Sequence, residues 1–139
     1  MRNKVEACVT PTTDSQIKFE ELRKKIIFLN PERHSYKRVK VDGCVLKDGL
    51  KCDDLLLSDD EHEERYVELK GTDVMHAIEQ LESTIMRLGE FEECRHCYVV
   101  STNVAPAFNT KIQQKKKYFK ERYRSSLEVR ERQMVVPLY

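Results

Sequence analysis

Apolar positions along the chain follow several spacings, and each predicts an element. Phe19, Leu22, Ile26 and Leu29 stand at 3-4-3 intervals, which predicts a helix over 13–29 with Thr13, Asp14 or Ser15 as N-cap and Asn30-Pro31 as its end. From 36 to 46 the period becomes two. Val39, Val41 and Val45 take one face and Lys40, Asp42 and Cys44 the other, a strand pattern reversed by the Asp48-Gly49 turn. A second strand is read over 52–57, where Cys52-Asp53-Asp54 leads into Leu55-Leu56-Leu57, and the polar stretch 58–64 is its loop. The third strand, 65–70, puts Tyr66, Glu68 and Lys70 on one face and Val67 and Leu69 on the other. Gly71 and Thr72-Asp73 then open a long helix with Val74, Ile78, Leu81, Ile85 and Leu88 at 4-3-4-3 spacing, stopped by Gly89. Residues 97–100 read as a buried strand, Pro106 and Asn109 introduce a helix to about Arg124, and 127–138 alternates as an edge strand with Pro137 near its end. The predicted order is α-β-β-β-α-β-α-β, a mixed central β-sheet flanked by helices in the α/β class, built as a single domain over 1–139.

Composition sharpens that picture. A chain of 139 residues with 40% hydrophobic residues is long enough for one core, and four Gly and four Pro exclude collagen-like or low-complexity classes. Charged residues reach 35% yet the net charge is only +1, because the signs are segregated. Residues 1–52 carry twelve cations and seven anions, 53–93 carry three and fourteen, and 101–139 carry nine and three. An acidic middle between basic ends suggests cations arranged around a carboxylate-rich centre rather than a uniformly cationic coat. No apolar run approaches the eighteen or so residues of a membrane span, and the N-terminal segment lacks a signal-peptide core, so a cytoplasmic protein with no membrane association is expected. Five cysteines are an odd number, and without a secretion signal reduced thiols are the expectation.

The chemistry concentrates where the second and third strands meet. Asp53 or Asp54 begins one strand and Glu68-Leu69-Lys70 ends the next, so antiparallel pairing brings the charged groups together; residues two apart on a strand point the same way, which sets Glu68 beside Lys70. Charges on a strand face are costly unless solvated or used. Two carboxylates make a hard oxygen site suited to Mg²⁺ or Mn²⁺, and such an ion beside a lysine points to phosphodiester hydrolysis. The plainer alternative is a solvated Glu68–Lys70 ion pair, with Asp53 and Asp54 capping a turn.

At these residues the sequence resembles the PD-(D/E)XK nuclease superfamily, the restriction-endonuclease-like fold, over most of the chain. Asp-then-apolar strand, loop, Glu-x-Lys strand, amphipathic helix and further strand is that superfamily's core order. The resemblance implies a restriction-endonuclease-like core with Asp53 or Asp54, Glu68 and Lys70 at the catalytic positions, the carboxylates as Mg²⁺ or Mn²⁺ ligands. Two departures are visible: Cys52 stands where the motif has proline, and the doubled Asp53-Asp54 leaves the register open, with strand parity leaning to Asp53. Gln80 on the following helix resembles the polar position that several branches keep near the active site. The implied activity is metal-dependent hydrolysis of DNA in restriction or defence, repair or junction processing; the alternative is a noncatalytic nucleic-acid- or protein-binding module on the same fold. A domain this small suggests a homodimer or an unknown protein partner.

Two further features remain. The basic helix from Lys111 to Arg124 holds Lys111, Lys115, Lys116, Lys117, Lys120, Arg122 and Arg124 against one acid, Glu121, with Tyr118, Phe119 and Tyr123 interleaved, and is expected to grip phosphates. Lys24, Lys25, Arg33, Lys37, Arg38 and Lys40 form another basic stretch, and a duplex would fit between the two if they line one groove. Cys94-Arg95-His96-Cys97 invites a zinc reading with Cys44 and Cys52 completing the set, against which Cys97 sits in a predicted buried strand.

Overall fold

The computed structural model describes residues 6–89 and 94–139, with Lys70 described through its backbone alone. Nine strands and two long helices form three layers among these residues. The central layer is a six-stranded mixed sheet in the order β1-β4-β5-β6-β7-β8, where β1 is Val9–Thr12, β4 Tyr36–Lys40, β5 Asp54–Ser58, β6 Glu63–Lys70, β7 Cys94–Ser101 and β8 Ser125–Glu131. Strands β1, β4, β5 and β6 pair antiparallel, and β6, β7 and β8 run parallel. Parallel neighbours need crossovers, supplied by α1 (Val74–Leu88) and α2 (Asn109–Tyr123).

Both helices pack on one face of the sheet. Val74, Ala77, Ile78, Leu81 and Ile85 of α1 and Ile112, Phe119 and Tyr123 of α2 join Leu55, Leu57, Tyr66, Cys97 and Val99 in one core. Helix α1 begins and ends where the sequence predicts. The Asp73 carboxylate accepts the His76 N–H at 3.0 Å and Gly89 N–H closes on the Ile85 carbonyl at 2.8 Å. The opposite face carries a second core, in which Leu56, Val67, Leu69, Tyr98 and Val100 meet a three-stranded sheet of β2 (Gln16–Glu21), β3 (Lys24–Leu29) and β9 (Gln133–Pro137).

That second sheet corrects two expectations. Where a helix is expected over 13–29, residues 16–29 form the β2–β3 hairpin. The set at 3-4-3 spacing coexists with a period of two: Ile17 and Phe19, then Ile26 and Phe28, are buried on one face, while Leu22 takes a left-handed turn conformation and is 81% exposed. β-branched Ile17, Ile26 and Ile27 favour that extended form. The expected edge strand over 127–138 is two strands in different sheets, because Arg132 at φ 63° breaks the chain direction between β8 and β9. The strand expected over 36–46 ends at Lys40, where Gly43 at φ 77° lets residues 41–46 turn back on themselves. The expectation of all-reduced thiols is also corrected. Pairing of β1 with β4 sets Val9 against Val39, and beside it Cys8 is bonded to Cys44. Among the described residues no helix is long and apolar enough to cross a membrane.

Candidate functional site

Strands β5 and β6 are paired from Leu57–Glu64 to Asp54–Val67 and part immediately beyond. Parting follows from Asp53, whose carbonyl accepts the N–H groups of Val41 (3.1 Å) and Asp42 (3.3 Å), which draws the chain toward β4. Two backbone N–H groups are thereby left without a ladder partner, and a buried donor must find an acceptor. The two carboxylates supply it reciprocally: Glu68 Oε1 accepts the Asp53 N–H at 3.1 Å, and Asp53 Oδ2 accepts the Leu69 N–H at 2.8 Å. Asp53 and Glu68 are therefore held together at the mouth between the strands, with the Glu68 side chain fully buried.

Asp54 faces elsewhere. It stands opposite Lys40 in the β4–β5 register, on the side of the sheet away from the helices. Burial pushes its carboxyl up to about 6, against the pull of Lys40, with Asp53 and Glu21 adding to the rise. Asp53 is likewise raised, first by burial, with the Leu69 N–H bond opposing and Glu21 and Asp42 contributing repulsion. A buried carboxyl pushed up by its surroundings, as Asp53 is, held beside the fully buried Glu68, is a donor set that a hard divalent cation would relieve. The Leu69 bond takes one of the roughly four acceptor sites of Asp53 and leaves lone pairs for such an ion. The donor chemistry fits Mg²⁺ or Mn²⁺.

The backbone of Lys70 pairs with Ser101 at the end of β6, and its side chain lies outside the described residues. Gln80 is buried on α1, where its Nε2 donates to the Lys51 carbonyl at 3.1 Å and its Oε1 has no hydrogen-bond partner among the described residues. Thr84 Oγ1 accepts the Cys52 N–H at 2.8 Å, and Ser83 Oγ donates to the Leu50 carbonyl at 2.7 Å. Gln80, Ser83 and Thr84 thus clamp the segment that leads into Asp53, so Gln80 acts on the carboxylates through their backbone.

The basic residues of α2 divide into groups. Lys115 is tied to Glu82 of α1 at 2.7 Å, where Tyr123 OH donates to the other oxygen at 3.1 Å, and Lys111 lies over the Phe108 ring. Lys117 and Arg122 are exposed. Lys116, Lys120 and Arg124, at i, i+4 and i+8, line one open groove of about 610 Å³ with Arg95, His96, Ser125, Ser126 and Leu127. Arg95 forms its floor: only 5% exposed, it donates to Glu64 at 2.9 Å and to the Tyr123 carbonyl at 3.1 Å. His96 Nδ1 and Ser126 Oγ share a 2.9 Å hydrogen bond, and burial lowers the imidazole from its ordinary value, with Arg65 adding to the effect. Arg95, His96, Ser125 and Ser126 escape sequence reasoning because they enter the groove only through the β7–β8 register. The other basic stretch does not complete this groove. Lys24 and Lys25 belong to the second sheet, across the central sheet from α2, while Lys37 is paired with Glu61 at 2.7 Å and Arg38 stacks on Phe19 at 4.3 Å.

The cysteine motif is set apart by its own strand. Three residues apart on β7, Cys94 and Cys97 take opposite faces, one exposed and one buried, so they cannot chelate one ion, and Cys44 is bound to Cys8. Burial pushes the Cys97 thiol up to about 12 and raises that of Cys52 well above its usual value, which keeps both as packing residues. No family model, curated protein or solved structure matches the chain.

Proposed function

We propose that this protein is a metal-dependent nuclease that hydrolyses phosphodiester bonds of DNA on a restriction-endonuclease-like core. The observation that carries the reading is the Asp53–Glu68 pair, two carboxylates interlocked through each other's backbone at the mouth of adjacent strands. The run β4-β5-β6-α1-β7, an antiparallel meander followed by a helical crossover to a parallel strand, supports it, since it agrees with the superfamily's order from the first core strand onward.

In this reading Asp53 and Glu68 hold Mg²⁺ or Mn²⁺, which when bound polarises the phosphodiester and lowers the pKa of the attacking water. The Leu69 and Asp53 N–H groups fix the rotamers of the two carboxylates, so the ligand set is preorganised by backbone. Lys70, two residues beyond Glu68, orients the attacking water. Gln80 holds the strand entry in place, and Asp54, opposite Lys40, adds negative potential without joining the pair. Attack of water at phosphorus breaks one P–O bond and leaves a phosphate monoester and a hydroxyl end.

A second reading has its own support. Both carboxylates already satisfy backbone donors and Glu68 is fully buried, as expected of strand caps in a noncatalytic nucleic-acid-binding module. Incubation with supercoiled plasmid, branched DNA and single strands in Mg²⁺ or Mn²⁺ separates the two. Cleavage by the wild type that is lost in folded Glu68→Ala and Lys70→Ala supports the nuclease; salt-dependent binding without cleavage supports the module.

A further inference from the structure

The β2–β3 hairpin turns over at the edge of the central sheet that carries the carboxylates. On the β2 side, the Arg38 guanidinium donates to the Lys18 carbonyl at 2.7 Å and lies 4.3 Å from the Phe19 ring centroid, which pins β2 over β4. Two residues on from Arg38, Lys40 stands opposite Asp54, and the charge of Glu21 at the end of β2 reaches both Asp53 and Asp54 and raises their carboxyls. On the β3 side, the Lys25 N–H donates to the Arg132 carbonyl at 3.0 Å and the Arg132 N–H donates to the Ser101 carbonyl at 2.7 Å, where Ser101 pairs with Lys70. The turn between these two clamps, Leu22-Arg23, is therefore held at the same edge as Asp53 and Glu68, one sheet spacing away, about 10 Å.

The apex of this turn runs against local preference. Glu21 pairs with Lys24, which leaves a two-residue turn, and in such turns positive φ falls to Gly, Asn or Asp. Leu22 takes φ 45° there, a region in which a Cβ crowds the backbone. Of the five non-glycine residues with positive φ among those described, the other four are charged and Leu22 alone is apolar. A lone exposed leucine is ordinary on a surface, but one that is 81% exposed and also strained carries two costs in the same residue. Around it, Glu20 and Glu21 stand against Arg23, Lys24 and Lys25, so the tip is near charge balance and what its apex adds is a rigid apolar side chain rather than an ionic grip.

Such a side chain suits the faces of bases. Leucine is among the residues that enter nucleic acid between base steps, and the unstacking this requires is least costly where the stack is already broken. We propose that Leu22 is a wedge that fills an interruption in the base stack, so that the protein selects bulged or branched DNA. This rests on the nuclease reading for the phosphate at Asp53 and Glu68, and at about 3.4 Å per nucleotide the interruption lies roughly three nucleotides from it.

Binding without metal tests the wedge independently of cleavage. Fluorescence anisotropy in EDTA compares an intact duplex with the same duplex carrying a three-nucleotide bulge beside a 2-aminopurine, on the wild type, on Leu22→Asn and Leu22→Gly, and on the control Met86→Gln, whose side chain is 74% exposed on α1. Asn and Gly accept positive φ, so both Leu22 variants should melt no lower than the wild type. Wild type and Met86→Gln should bind the bulged duplex at least tenfold more tightly than the intact one and brighten the 2-aminopurine. Both Leu22 variants should lose about tenfold on the bulged duplex alone, as burial of one leucine implies, with the salt slope unchanged because no phosphate contact is removed. The assay holds no metal and reads no cleavage, so plasmid left intact in Mg²⁺ would count against the nuclease reading and leave this result standing. An unchanged preference in the folded Leu22 variants overturns the proposal, the outcome expected if the apex serves a protein partner, as does a wild type that binds both duplexes alike or neither, or an equal loss in Met86→Gln.

Discussion

Replacing Asp54 by Asn should stabilise the protein at neutral pH and do little in acid. Asp54 opens β5 opposite Lys40, and burial lifts its carboxyl from an ordinary 3.8 to about 6. A carboxyl with a raised folded-state pKa keeps its proton in the fold while the unfolded chain has already lost it. Between about pH 4 and pH 6 the folded state therefore binds more protons than the unfolded one, and its stability falls as pH rises. Above pH 6 the full shift applies, about 3 kcal/mol at 1.36 kcal/mol per unit. Partial exposure and solvent screening reduce this to roughly 1–2 kcal/mol. Asn keeps the shape and cannot ionise, so Asp54→Asn should gain that amount at about pH 7.5 and close to nothing at about pH 4. Urea unfolding followed by circular dichroism in EDTA measures it, with a midpoint rise of roughly 0.5–1 M expected at the higher pH for a slope near 2 kcal/mol/M. An equal shift at both pH values, or a variant less stable than wild type at pH 7.5, would refute the placement of a charged, half-buried carboxylate here.

Other expectations follow from the packing. Gly89→Ala should lower stability by about 1–3 kcal/mol in thermal melts. Its new Cβ would stand 2.6 Å from Arg95 Nη2 and 2.7 Å from the Ile85 carbonyl, and Glu64 and Tyr123 hold that guanidinium in place. Glu64→Gln leaves the buried Arg95 charge uncompensated and should cost about 3–5 kcal/mol by urea unfolding, whereas replacing Glu64 and Arg95 together by leucine and methionine should recover most of the loss. Mass spectrometry after alkylation of the denatured, unreduced protein should count three modified cysteines, Cys52, Cys94 and Cys97, and five after reduction. Opening that cross-link, which closes a separation of 36 residues, should remove about 3–4 kcal/mol of stability; five modified thiols without reductant would contradict the pairing.

Local signals in the chain proved sufficient where a single element carries them. Helix α1 is bounded by Asp73 and Gly89 because a cap and a stop act within one turn, and β5, β6 and α2 follow their own periodicities. The β2–β3 hairpin was hidden because Phe19, Leu22, Ile26 and Leu29 satisfy a helical spacing. Only the cover that the second sheet gives to Leu56, Val67 and Tyr98 selects the extended form. At the site, the sequence places Asp53, Asp54, Glu68 and Lys70 on neighbouring strands, but the choice between the two aspartates depends on where β5 leaves β6, a matter of Val41 and Asp42 pulling on the Asp53 carbonyl. The Cys8–Cys44 bond and the Arg95–Lys120 groove were illegible for a shared reason: each joins residues far apart in sequence that meet only through strand pairing.

The central claim, that Asp53 and Glu68 together hold a divalent cation, is most directly tested by titrating Mn²⁺ into the metal-free protein and following the free-ion signal by electron paramagnetic resonance. Wild type should show a saturable site that Mg²⁺ displaces, and Asp53→Asn and Glu68→Gln, each checked for fold by circular dichroism, should bind at least tenfold more weakly. Mn²⁺ affinity unchanged in both folded variants would contradict the account.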